Sequence, residues 1–206
     1  MQPITESFSI VILGGWNPQI FSNEWMSANL DLPKDTEIIT SIPMNNPALP
    51  HRIELPNAFL YPSHDRIKVT TNGQTIDNML YISRLCKKIL SLLTHTPVNG
   101  IGINFGFITE QTDDLLADKI DISDSTELES QYNVLNTEIS RALKYNSKVR
   151  LNFKTVFSTT SSVITINFHQ DTKDIKEYPE ILSENNISGY YQATKTIMEN
   201  TYGYNV

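Results

Sequence analysis

Between Val98 and Ile108 the chain alternates in a way that leaves few architectures open. Ile101, Ile103, Phe105 and Phe107 are large and apolar, while Gly100, Gly102, Asn104 and Gly106 between them are nearly bare. Side chains of an extended strand point to opposite faces with period two, so one face of this strand belongs in a core. Glycine inside a strand costs conformational entropy and offers nothing to pack, so three on one face predict that something approaches that backbone closely. A helix of the same chain, a second copy of the chain, or a small molecule in a groove would each fit. The spacing Gly-x-Gly-x-x-x-Gly lies within the strand pattern and not at a strand-to-helix turn, so it is no dinucleotide or phosphate loop.

The rest of the chain suits a sheet around such a strand. It holds 24 Ile, 8 Val and 20 Thr, residues that favour pleated, half-buried surfaces. Residues 6–13 read as a strand ended by Gly14-Gly15, and Thr36–Ile42 as a second. Ile67 and Val69 alternate with Arg66, Lys68 and Thr70 as an antiparallel strand with one wet face. Residues 131–145 fit helix or strand, with strand preferred over 138–145. Asn146-Ser147 then turns the chain into Val149, Leu151 and Phe153, and a second turn over 159–162 leads to Ile164, Ile166 and Phe168, an antiparallel meander.

Three helices are expected. Ser22 caps a two-turn helix with Glu24 in its first turn. Thr75 caps a long one, where Ile76, Met79, Leu80, Cys86, Ile89, Leu90 and Leu93 recur at three- and four-residue steps up to about residue 93. The last runs from about Ser188 to Tyr202, with Gly203 in the left-handed position that ends a helix. Five of the 10 prolines fall in residues 43–62, which predicts a Pro-rich excursion of loop or edge strand. The expected fold is therefore a single α+β domain over 1–206. Its mainly antiparallel sheet has about six to eight strands, with the 75–93 helix and the C-terminal helix packed on one face.

Charge narrows the function classes. The chain carries −7 overall, and eight acids against Lys119 put the whole imbalance into residues 110–129, an expected acidic surface loop. No basic cluster offers a nucleic-acid backbone its counterions, so no nucleic acid is expected as a partner. No apolar run is long enough for a membrane span, and no basic residue precedes the Phe8–Leu13 run as a signal peptide requires. A lone Cys86 forms no internal disulfide, so a cytoplasmic location is expected. His51, His64, His95 and His169 lie far apart, without metal-ligand spacing, and neither a metal nor another cofactor is expected.

No catalytic motif stands out, and no catalytic residue is assigned. The residues point instead to a non-enzymatic interaction protein that engages a protein partner or itself, a homodimer included. If the meander and the glycine strand share a sheet, their polar faces gather Asn104, Arg150, Asn152, Lys154, Thr165, Asn167 and His169. With Gly100, Gly102 and Gly106 these form the candidate binding surface. The alternative is a small-molecule or hydrolytic site at His64, Asp65 and Arg66, beside the Pro-rich stretch and open to the glycine strand. Ser63, His64 and Asp65 supply the residue types of a hydrolytic triad, but neighbours in an extended chain point in opposite directions.

Overall fold

A computed structural model describes residues 1–43, 50–109, 116, 125–158 and 160–206. Its ten strands form one antiparallel sheet. They are β1 (Gln2–Pro3), β2 (Ser9–Gly14), β3 (Ile39–Ser41), β4 (Arg52–Leu55), β5 (Ala58–Pro62), β6 (Arg66–Thr71), β7 (Val98–Thr109), β8 (Asn136–Lys144), β9 (Arg150–Ser158) and β10 (Ser162–Asp171). The order across the sheet is β3-β4-β5-β6-β2-β7-β10-β9-β8, with β1 completing the β2 side of β7. Two meanders thus flank a central β2–β7 pair, and the glycine strand lies in the middle of the sheet.

The α+β class and the antiparallel sheet agree with the sequence, but the strands number more than six to eight. The difference lies in the Pro-rich excursion. Three of its prolines punctuate strands and do not break them: Pro50 precedes β4, Pro56 sits in the tight turn between Leu55 and Ala58, and Pro62 ends β5. Ile53, Leu55, Ala58 and Leu60 there are buried in the common core.

The helices are α1 (Asn23–Asn29), α2 (Ile76–Leu92), α3 (Ser125–Gln131), α4 (Tyr178–Ile181) and α5 (Glu184–Thr196), the last continuing as a π-turn over Ile197–Thr201. Ser22 Oγ accepts from Trp25 N to start α1, and Thr75 forms a capping box with Asn78 at the head of α2. Ser183 caps α5, so the C-terminal helix starts several residues before Ser188, and Gly203 ends it at φ +76. Residues 131–145 become the end of α3 and then β8, in line with the strand preference.

The expected acidic loop is corrected in its described part. Residues 110–115 and 117–124 lie outside the described residues, but 125–129 are helical, in α3, and Leu116 is fully buried. Glu127 in the first turn of α3 faces the positive helix end, so acidic residues here favour a helix start.

Apolar burial concentrates on one face of the sheet. Phe105 of β7 sits at its centre, edge-on to Phe8, Phe168 and Tyr191 at ring separations of 5.4, 6.2 and 6.0 Å. The C-terminal helix supplies further rings: Tyr190 stacks on Phe168 at 4.6 Å, and Tyr202 on Phe153 at 5.3 Å. Aromatic pairs of this kind add about 0.5–1.5 kcal/mol beyond the area they bury. Helix α2 contributes Met79, Ile82, Leu85, Cys86, Ile89 and Leu90 to the same core. Ser83 Oγ of α2 donates to Leu182 O at 2.7 Å and ties it to the C-terminal helices. No helix among the described residues is long and apolar enough to cross a membrane.

Candidate functional site

The make-up of the sheet face opposite the aromatic core follows from strand register. Asn104 of β7 faces Ser9 of β2 on one side and Asn167 of β10 on the other, and Asn167 faces Asn152 of β9. One row across four strands is therefore entirely polar. A second row sets Val11, Gly102, His169 and Arg150 side by side, and a third sets Gly106, Thr165 and Lys154. All seven polar residues expected on one face do share it, because β7, β9 and β10 are neighbours in register.

The polar row is a hydrogen-bonded chain with a single direction. Arg150 Nε donates to Asn152 Oδ1 at 3.1 Å, Asn152 Nδ2 to Asn167 Oδ1 at 2.8 Å, and Asn167 Nδ2 to Asn104 Oδ1 at 2.7 Å. Asn104 Nδ2 then donates to Ser9 Oγ at 3.2 Å. Bonds that run head to tail polarise one another, so the amides hold fixed orientations while keeping an outer side to water. In these bonds Asn152 and Asn167 each use one N–H and one lone pair, and each keeps another for a ligand.

Gly102 makes room for this chain, and Gly106 for the turn that precedes β2. A Cβ on Gly102 would lie 2.6 Å from Asn167 Nδ2, and one on Gly106 would meet the Ser7 side chain of the turn that precedes β2. At Gly100 the nearest neighbour would be Gln170 O, 3.0 Å away, with His169 Cε1 at 3.5 Å. The close approach read from the sequence is thus made by the Asn167 side chain at Gly102, by the N-terminal turn at Gly106 and by the β10 backbone at Gly100. The long helices lie on the opposite face, and both edges of β7 are taken by β-strands.

Charge on this face is locally balanced. His169 Nε2 lies 2.9 Å from Asp171 Oδ1, a hydrogen bond that holds the Asp171 carboxyl below its usual range. Lys154 Nζ lies 2.6 Å from Glu138 Oε2, and this bond lowers the Glu138 carboxyl in the same sense. Burial lowers the Lys68 ammonium on β6, in the row that passes through Val11 to Gly102. Ser9, Lys68 and Asp171 were missed as members of the face. Ser9 carried a signal, as the small polar residue alternating with Phe8 and Ile10, but its partner Asn104 is 95 residues away.

His64 and Asp65 lie in the exposed turn between β5 and β6, and Arg66 is the exposed first residue of β6. Ser63 Oγ donates to Asp65 Oδ1 at 2.7 Å and Arg66 NH2 lies 3.1 Å from Asp65 Oδ2, so the Ser63 hydroxyl is bound to the carboxylate and not to His64. The Ser63 bond is the main cause that lowers the Asp65 carboxyl. His64 contributes its carbonyl, which accepts from Trp16 N at 2.9 Å. The turn is thereby pinned to the end of β2, and no group of three or more His, Cys, Asp or Glu side chains converges among the described residues. No protein-family model matches the chain, and no curated protein matches it either.

Proposed function

We propose that the chain is a non-enzymatic protein-interaction module whose polar sheet face binds another protein. The observation that carries this reading is the one-directional amide chain from Arg150 to Ser9, laid over Gly102. Ordered amides with donors and acceptors to spare match the peptide groups and side-chain amides of a partner, and their fixed orientation lowers the entropy lost on binding. Arg150 and Lys154 border the row, Lys154 already paired with Glu138, so Arg150 is the charge that favours an acid on a partner segment. The reading places the module in the cytosol, where a single, fully buried free thiol such as Cys86 is at home.

The test is gentle purification of the tagged protein from its own host, with quantitative mass spectrometry of what accompanies it. The expected result is a defined companion that the Arg150→Ala/Lys154→Ala double variant and Asn152→Ala each lose, while melting temperature stays near wild type. Equal retention by all three proteins discards this face.

A further inference from the structure

The two outer edges of the sheet are unlike. One is β3, three residues long, and the other is β8, nine residues in unbroken register with β9 from Asn136 to Lys144. Among the described residues β8 pairs with nothing on its far side. A long edge of unpaired N–H and C=O groups is a template for another strand, and proteins usually blunt it with proline, a bulge or brevity. β8 has none of these three, and of the charges that also guard edges it carries Glu138, Arg141 and Lys144. On and beside β8, Leu135, Leu143 and Tyr145 are exposed large hydrophobic residues, Tyr145 with one side against Phe168 and Tyr190.

We propose that β8 pairs with β8 of a second copy, antiparallel about a two-fold axis at Ser140, and joins two sheets into one. Backbone direction supports that axis. Tyr145 N donates to Val149 O, so odd residues of β8 turn their backbone groups toward β9. The N–H and C=O of Asn136, Glu138, Ser140, Ala142 and Lys144 then point to the open side, because successive residues alternate. A two-fold pair hydrogen-bonds only if these even residues face one another, and an axis at Ser140 uses all of them.

Side chains favour the same register. Asn136 faces Lys144, Thr137 faces Leu143, Glu138 faces Ala142 and Ile139 faces Arg141, so no like charges oppose each other. Glu138 lies diagonal to Lys144 of the partner subunit, and just beyond the strand Leu135 comes opposite Tyr145. A slip of two residues one way sets Arg141 against its own copy, and the other way leaves Leu143 and Lys144 unpaired. Arg141 is the one charge on the core side of β8, and its hydrogen bond to the Tyr202 hydroxyl holds it within its own chain. The pairing goes beyond the outer-face reading and does not depend on it, since it uses none of the amide residues.

Native mass measured by light scattering over a wide concentration range tests the pairing. Wild type is expected at twice 23.4 kDa. Ser140→Pro removes an outward N–H at the axis, a change that an edge strand tolerates, and is expected at the monomer mass. Ala142→Glu opposes Glu138 of the partner subunit twice and is also expected to be monomeric, whereas Ala142→Lys keeps the dimer. A monomeric wild type overturns the proposal, and so does a dimer that both Ser140→Pro and Ala142→Glu leave intact. If circular dichroism shows that Ser140→Pro is unfolded, the opposite behaviour of the two Ala142 variants decides alone.

Discussion

Asn167 shows how one side chain couples two features that look separate in the sequence. Its amide accepts from Asn152, donates to Asn104, and fills the space over Gly102. Gly102→Val is therefore expected to lower stability by roughly 1–3 kcal/mol, because the branched side chain must displace an amide held at both ends. The clash is with the end of a side chain, so it can be relieved. Gly102→Ala combined with Asn167→Ala should cost less than the sum of the two single changes, by about 0.5 kcal/mol or more. Denaturant melts of the four proteins check this, and strict additivity would show that Asn167 does not occupy that space. Gly14 makes the contrast: a Cβ there meets the Pro97 carbonyl oxygen, which is backbone and has no rotamer to change.

Helix α2 is joined to the C-terminal helices by two bonds of similar length and unequal consequence. Ser83 Oγ to Leu182 O is 2.7 Å and buried, while Arg84 to Glu184 is 3.1 Å with both side chains more than half exposed. Removing the first leaves a carbonyl without that partner in the core, and removing the second leaves two groups in water. Ser83→Ala is accordingly expected to cost about 1–3 kcal/mol and Arg84→Ala less than about 1 kcal/mol, as read by urea unfolding. Comparable losses would mean that the surface pair is better ordered than its exposure implies. Elements of this kind were legible when their signal is local. Helix α2 shows in its three- and four-residue apolar steps and its Thr75 cap, and β7 in strict alternation. The polar row was legible for the same reason, since period two alone puts Asn104, Asn152 and Asn167 on matching faces. What stayed hidden depends on distant neighbours: Ser9 joins the row only because β2 lies next to β7, and β8 is an edge only because the second meander folds back onto β7. Leu55 and Ala58 flank Pro56, and composition alone could not separate strands punctuated by prolines from a loop that contains them.

At the scale of the molecule, one sheet and one aromatic core carry the stability, and their response to pH is asymmetric. The carboxyls of Glu24, Asp65, Glu138 and Asp171 are lowered by hydrogen bonds at the surface. Their contribution is present above the ordinary carboxylate range, is lost as pH falls through their folded values, and is small because water screens it. The alkaline side is governed by the interior. Burial pushes the Cys86 thiol far above its ordinary 9.0 and the Tyr178 hydroxyl far above 10.0. Both groups keep their protons in the folded chain at a pH where the unfolded chain has released them. A raised folded pKa gives stability that is complete below the unfolded value and declines above it. Above pH 9.0 the thiol alone should remove stability with a slope that rises toward about 1.4 kcal/mol per pH unit, with Tyr178 adding to the slope above 10.0. Cys86→Ala is expected to be less stable at neutral pH, for the volume it deletes from α2, yet to show a flatter decline between pH 9.0 and 10.0. Urea unfolding across that interval measures both slopes. Parallel declines in the two proteins would show that the thiol ionises in the folded chain, and that water reaches the core beneath α2.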